Sequence, residues 1–310
     1  MEVVVTAGQS KRLKLIDYAT LTYILINIIF ILAAWKGISN PMELLGGYAW
    51  CLLVAIAIIV VGGPEGRPAP VSSGMRAFRW LQGLLRTAYP LAFLPYFFVA
   101  VTRFDTVLFK SDLDPWFISL ETFLFGSVPS SWLMVRFDSF FVSELLHGSY
   151  VLYYATIPAL AFWLYVRNRR ALPEYVTVAM LIFYITCLVY ILLPVVGGRF
   201  DPWTKALTET YRHGPFTRIM AYIYRTSDHA GAAFPSTHVI ISTVIALTAR
   251  RHARPLALAL SVIAALILVA TVYCGYHYVA DLAGALVFVA VLYPLGLKLY
   301  KRWTSVRSYL

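Results

Sequence analysis

Three short stretches carry residue types suited to chemistry on phosphorus. "PSTH" places Ser236 and His238 two residues apart, "HYVAD" places His277 four residues before Asp281, and "PVVGGR" ends on Arg199. A neutral imidazole is a competent nucleophile. It divides one hard displacement into two easier ones through a covalent intermediate, here a phosphohistidine. Helical positions four apart share a face. Asp281 can therefore accept a hydrogen bond from one ring nitrogen of His277 and leave the other to attack. His238, with an ordinary histidine pKa of about 6.5, suits protonating a departing alkoxide and then deprotonating an incoming hydroxyl.

The phosphoryl oxygens need positive charge and hydrogen-bond donors. Arg199 offers a planar fork of them. Ser236 and Thr237, with free backbone N–H groups at the start of a helix, would supply an anion-binding end. No carboxylate cluster points to a metal, so no cofactor is expected and arginines must carry the charge. Arg218 and Arg225, by loop position, and His229, in "SDHAGAAFPSTH", are further candidates for substrate contact. Taken singly, each residue has a bland reading: Ser236 as a helix cap, Arg199 as a headgroup anchor, Asp281 as a capping carboxylate. His147, His213 and His252 are read that way, as interfacial side chains. Several such groups gathered at one side of a membrane are too costly to be incidental.

The elements that position these residues are membrane helices. The 310 residues are 60% hydrophobic and 13% charged, with mean hydropathy +0.72. Soluble domains carry about 25% charged residues, so lipid must be the solvent for most of this chain. Spans of about 20 apolar residues fall at roughly 15–35, 47–62, 87–102, 143–166, 175–193, 237–250, 256–273 and 282–299. The second and sixth are short. With the N-terminus inside and strict alternation, the inside segments hold 17 of the 26 basic residues. These cluster at Lys11–Lys14, Arg67–Arg86, Arg167–Arg170, Arg250–Arg254 and Lys298–Arg307. That bias follows the positive-inside rule. It predicts an all-α integral membrane protein of about eight spans, both termini cytoplasmic, with the histidine motifs and Arg199 on the extracytoplasmic side.

The expected organisation is two N-terminal spans and a cytoplasmic linker over 1–84, a core over 85–300 and a basic tail over 301–310. The first span follows "KRLK" and reads as a retained signal-anchor. Residues 103–142 mix aromatics with acids and are expected to lie along the interface as short amphipathic helices, Trp116 and Trp132 at headgroup level. Cys51, Cys187 and Cys274 lack metal or disulfide spacing and read as packing residues. No basic run is interleaved with aromatics, so the net charge of +11 points to a bilayer rather than nucleic acid. Few charges fall mid-span, which counts against a transporter.

These motifs resemble the type 2 phosphatidic-acid phosphatase superfamily. "PSTH" is similar to its P-S-G-H motif and "HYVAD" to the end of its S-R-x5-H-x3-D motif. The resemblance implies His277 as nucleophile, Asp281 as its partner, His238 as acid/base and Ser236 on phosphate. It also implies a metal-independent reaction in a six-helix core, here the third to eighth spans. Two features depart from the phosphatases. The K-x6-R-P motif is absent, Leu247 standing where its lysine would precede Arg254-Pro255, and Ala270-Thr271 replaces the S-R pair. Both departures resemble the inositol phosphorylceramide synthase branch, in which an arginine after a Pro-x-x-Pro-Pro stretch replaces the first motif. "PVVGGR" is similar, with Gly197-Gly198 where that branch has prolines; "LFGSVPSSWL" and "SELLHGSYVLYY" also resemble its bacterial members. The branch implies transfer of a phosphoryl or phospho-headgroup from a lipid donor to an alcohol, giving a phosphosphingolipid or phosphoinositol lipid. Transfer to water, as a lipid phosphate phosphatase, uses the same residues.

Overall fold

A computed structural model of the chain describes residues 13–62, 73–109, 111–210, 214–226 and 231–308. Among the described residues the structure is helical and contains no strand. The helices are α1 (Leu15–Ala33), α2 (Pro41–Val61), α3 (Ser73–Val101), α4 (Asp105–Leu108), α5 (Asp114–Phe125), α6 (Pro129–Arg136), α7 (Phe140–Arg167), α8 (Leu172–Leu192), α9 (Pro202–Thr210), α10 (Pro215–Thr226), α11 (Thr237–His252), α12 (Arg254–Tyr273) and α13 (Val279–Ser308).

Seven of them are long and apolar enough to cross a membrane: α1, α2, α3, α7, α8, α12 and α13. The protein is an integral membrane protein with an all-α bundle. The sixth expected span, α11, has 16 residues and rises about 24 Å, less than a hydrocarbon core of about 30 Å. Its position explains the shortfall. Along α11, Val239, Ile240, Ile241, Val244, Ile245 and Ala249 are buried against other helices, so it is solvated by protein and need not match lipid. It still crosses the bundle, because α12 returns antiparallel from Ala253 to the level at which α11 began.

Contacts sort the helix ends into two groups. At one end Asn168 donates to the His252 carbonyl (3.3 Å), Tyr165 donates to the Trp80 carbonyl (2.5 Å), and Tyr18 meets Trp303 edge-on at 5.5 Å. This end carries Arg167–Arg170 and Arg250–Arg254, so these two basic clusters read from the sequence lie together. At the other end Arg103 pairs with Glu43 at 2.8 Å and Leu113 N–H donates to the Pro194 carbonyl at 2.8 Å. The Ser236, His277 and Arg199 segments are all at this second end.

The third helix starts earlier than its apolar stretch. α3 runs unbroken through 84/85, so the division expected there falls inside a helix, and Pro90 and Pro95 are accommodated within it. Its first turns read as loop because they are polar and exposed. The expected tail at 301–310 likewise continues α13 through Ser308. Helix α1 is fastened to α3 by Asp17, which is fully buried and accepts from Arg86 Nη1 (2.8 Å), Arg86 Nη2 (2.6 Å) and Tyr89 O–H (3.0 Å), and from Lys14 N–H (2.6 Å) at its own start. Removing one partner of such a buried pair costs about 3–5 kcal/mol, mostly for the charge left behind. Tyr23 of α1 also stacks on Tyr184 of α8 with ring centroids 4.5 Å apart.

Candidate active site

Three segments meet at the second end of the bundle: 194–199 after α8, 231–236 before α11, and the 274–278 turn between α12 and α13. Ala233 N–H donates to the Val195 carbonyl (2.9 Å), and Ser236 N–H donates to the Asp281 carbonyl (3.3 Å). The turn is held by Tyr276 N–H and His277 N–H, which donate to the Thr271 carbonyl at 3.1 and 3.0 Å. Gly197 has φ of +100°, and a Cβ there would collide with the Tyr276 carbonyl oxygen. Proline, locked near φ −65°, cannot occupy that position, which accounts for glycine where the resemblance leads one to look for proline.

His277 Nδ1 lies 3.1 Å from Asp281 Oδ2, and its Nε2 lies 3.2 Å from Ser236 Oγ. The same Asp281 oxygen accepts from Tyr278 N–H at 2.9 Å. A carboxylate facing Nδ1 fixes the proton there, so Nε2 carries the lone pair and the Ser236 hydroxyl donates to it. Ser236 also caps α11, accepting from Val239 N–H at 3.5 Å. All three side chains are buried.

His238 faces His277 with ring centroids 6.1 Å apart. Its Nδ1 is 3.0 Å from the Tyr150 hydroxyl, the Tyr150 ring stacks on it at 4.2 Å, and Tyr153 packs at 4.4 Å. Both histidines line a cavity of about 310 Å³ with Arg199, Lys205, Tyr224 and Tyr276. Arg199 holds its guanidinium 4.2 Å over the Tyr224 ring. Burial among neighbouring polar groups pushes the Tyr224 hydroxyl pKa well up, so it stays neutral at working pH.

The structure brings together His277, His238, Asp281, Ser236 and Arg199. Thr237 goes elsewhere: it is buried, does not line the cavity, and its N–H donates to the Tyr190 hydroxyl at 3.2 Å. Of the N–H groups expected at the start of α11, those of Thr237 and Val239 are engaged within the protein. Arg218 and Arg225 are exposed on the outer face of α10 and do not line the cavity. His229 and His213 lie outside the described residues. His147 is not interfacial: it is buried, with Nδ1 2.8 Å from the Ser143 carbonyl and 3.5 Å from Cys274 Sγ. It lines a cavity of about 20 Å³ behind Arg199, Tyr224 and Tyr276, room for about one water. His252 belongs to the opposite end, 2.8 Å from Glu174.

Reading by motif missed the tyrosines and Lys205. Tyr150, Tyr153 and Tyr154 are spaced three and four apart in "SYVLYY", a helical-face pattern that marks them as a cluster. Lys205 had no signal beyond lying six residues after Arg199. Three buried carboxylates were also missed: Asp114, Glu121 and Glu144. Glu144 accepts from Phe216 N–H (2.8 Å) and Thr217 N–H (3.1 Å), fixing the start of α10.

A family model described as the PAP2 superfamily matches residues 115–295. The chain belongs to the PAP2 superfamily. The matched stretch contains every candidate catalytic residue and leaves α1–α3 outside it. PAP2 superfamily membership supports an enzyme of the lipid phosphatase or phosphotransferase type, and the seven apolar helices make it an integral membrane protein. No curated protein and no solved structure matches the chain.

Proposed function

We propose that the protein is a lipid phosphotransferase that works through a phosphohistidine on His277 at the extracytoplasmic leaflet. It moves a phosphoryl or phospho-headgroup from a lipid donor to an alcohol acceptor, as inositol phosphorylceramide synthases do. The observation that carries this reading is the opposed histidine pair in one cavity with Arg199. His277 is oriented by Asp281 at 3.1 Å, His238 faces it at 6.1 Å, and the phosphorus would lie between the rings. Nε2 of His277 attacks phosphorus and the bond to the lipid alkoxide breaks as His238 supplies its proton. Ser236 must release Nε2 at that moment, and a phosphoryl oxygen is its next acceptor. In the second half His238 takes the proton of the acceptor hydroxyl, whose oxygen attacks phosphorus and displaces Nε2. Arg199 and Lys205 stabilise the equatorial oxygens.

What supports the extracytoplasmic side is charge: among the described residues Arg167–Arg170 and Arg250–Arg254 lie at the end opposite the cavity, and basic ends tend to face the cytoplasm. Transfer to an alcohol rather than water rests on "ATVY…HYVAD" and the "PVVGGR" arginine. The test is the fate of labelled phosphate from a lipid donor, with purified protein in detergent, EDTA, and inositol or ceramide as acceptor. Label in a new lipid supports the transferase. Label released as free phosphate or a soluble headgroup phosphate replaces it with a hydrolase. No transfer from any donor, with His277→Ala indistinguishable from wild type, would overturn both.

A further inference from the structure

All three segments of the site rest on one face of α5, a helix that reads in sequence as an amphipathic interfacial element. Its buried residues are Asp114, Phe117 and Glu121, three and four apart and so on one helical face. Asp114 accepts from Val196 N–H (2.8 Å) and Gly197 N–H (2.9 Å), just before Arg199. It also accepts from the Tyr278 hydroxyl (2.9 Å), one residue after His277. Phe117 stacks on the Tyr278 ring at 5.6 Å and lies 5.2 Å from the Phe234 ring, two residues before Ser236. Glu121 accepts from Val279 N–H in the first turn of α13, ahead of Asp281.

We propose that α5 is the template of the catalytic centre and that Asp114 is a positioning residue setting the separation between Arg199 and His277. The inference rests on the reaction proposed above. Glu144 and Glu121 each fasten one segment, whereas Asp114 alone among the three ties two catalytic segments to each other. A fully buried carboxylate is costly unless it is hydrogen-bonded, and apolar packing would suffice to hold a loop against a helix. What the carboxylate adds is direction, since three donors converge on its two oxygens. The loop bearing the cation and the turn bearing the nucleophile are then placed in one frame. Asparagine retains one acceptor oxygen and turns an N–H₂ toward a donor, so Asp114→Asn breaks that convergence.

The test uses Asp114→Asn, Tyr278→Phe and the double variant in the full-length protein, with His277→Ala alongside. Competent sites are counted by phosphohistidine yield. The expected result is a kcat per labelled site about tenfold or more lower in Asp114→Asn, as displaced reacting groups give, with KM within twofold. Tyr278→Phe is milder, and the double variant falls no further than Asp114→Asn. The second readout needs no turnover: ¹⁵N resonances of the His277 ring move in Asp114→Asn and Tyr278→Phe, while those of His252 do not. Fewer labelled sites at unchanged kcat per site, or an unmoved His277 ring, would overturn the assignment. If wild type forms no label on His277, the phosphotransfer reading has failed, and the ring spectra still decide the fate of Asp114.

Discussion

Two histidine–carboxylate pairs stand at opposite ends of this bundle. His252 Nε2 lies 2.8 Å from Glu174 and His277 Nδ1 lies 3.1 Å from Asp281. By distance the first is the tighter pair. Its carboxylate also takes Arg251 at 3.3 Å, and the neighbouring backbone carbonyl receives Asn168, so it ties the α7–α8 turn to the α11–α12 turn. The second pair differs in what surrounds the imidazole. Its other nitrogen meets a serine hydroxyl, a second histidine faces it, and a cavity holding two cations opens beside it. A histidine held by a carboxylate can therefore be a fastening, and the proposed nucleophile differs in that its second nitrogen has somewhere to act.

Exchanging the histidines tests that distinction most severely. His277→Ala is expected to lower kcat at least about a thousandfold, the order seen when a nucleophile is removed. His252→Ala should stay within twofold of wild type and lose only thermal stability. Turnover in detergent and melting temperature, measured on both, check this; equal loss in the two variants would erase the comparison. The carboxylates come next. Asp281→Asn presents an amide to Nδ1 and favours the wrong tautomer, with an expected loss of about a hundredfold to ten-thousandfold in kcat. Glu174→Gln should leave kcat unchanged and cost about 1 kcal/mol or less, as partly exposed ion pairs do.

Smaller effects sharpen the account of the second histidine. Tyr150→Phe removes the hydroxyl at His238 Nδ1 and keeps the stacked ring. It is expected to cost about three- to tenfold in kcat and to shift one limb of the pH–rate profile, with KM unchanged; an unaltered profile would remove Tyr150 from the account of His238. Smallest is a stability effect at Glu121. Burial raises its carboxyl from the ordinary 4.5 to about 7, against the Val279 and Ala280 N–H groups that favour the anion, and the Asp281 charge adds to the rise. The folded protein thus binds this proton more tightly than the unfolded chain. Its contribution is full below pH 4.5 and is lost as pH climbs to about 7. Melting temperature should fall across that window in wild type, and Glu121→Gln should flatten the slope; a variant that keeps the slope assigns it to another group.

Much of the site was legible because its geometry is local. His277 and Asp281 are four apart, and Ser236 precedes α11 as its cap. Arg218 and Arg225 stand outside the cavity, which loop position could not foretell because it says nothing about which face of a helix a side chain takes: Tyr224 faces the cavity while Arg225, the next residue, is exposed. Thr237 was misjudged because the partner of its N–H, Tyr190, belongs to another helix. His147 looked interfacial because its neighbours Cys274 and Tyr276 are distant in sequence.

Hydropathy and the placement of arginines determined, without coordinates, that the chain is a membrane bundle and which helix ends lie together. Each segment carries its own transfer energy and flanking charge, whatever it packs against. Motif spacing determined the histidine–aspartate pair for the same reason. Only the tertiary structure decided that α11 crosses the bundle as a short, protein-solvated helix, and that the segments bearing Arg199 and His277 are hydrogen-bonded to α5. The hydrogen bonds that Asp114 accepts come from 82, 83 and 164 residues away. A carboxylate so placed has no local signature, because its partners are backbone N–H groups and a hydroxyl that folding alone brings to it.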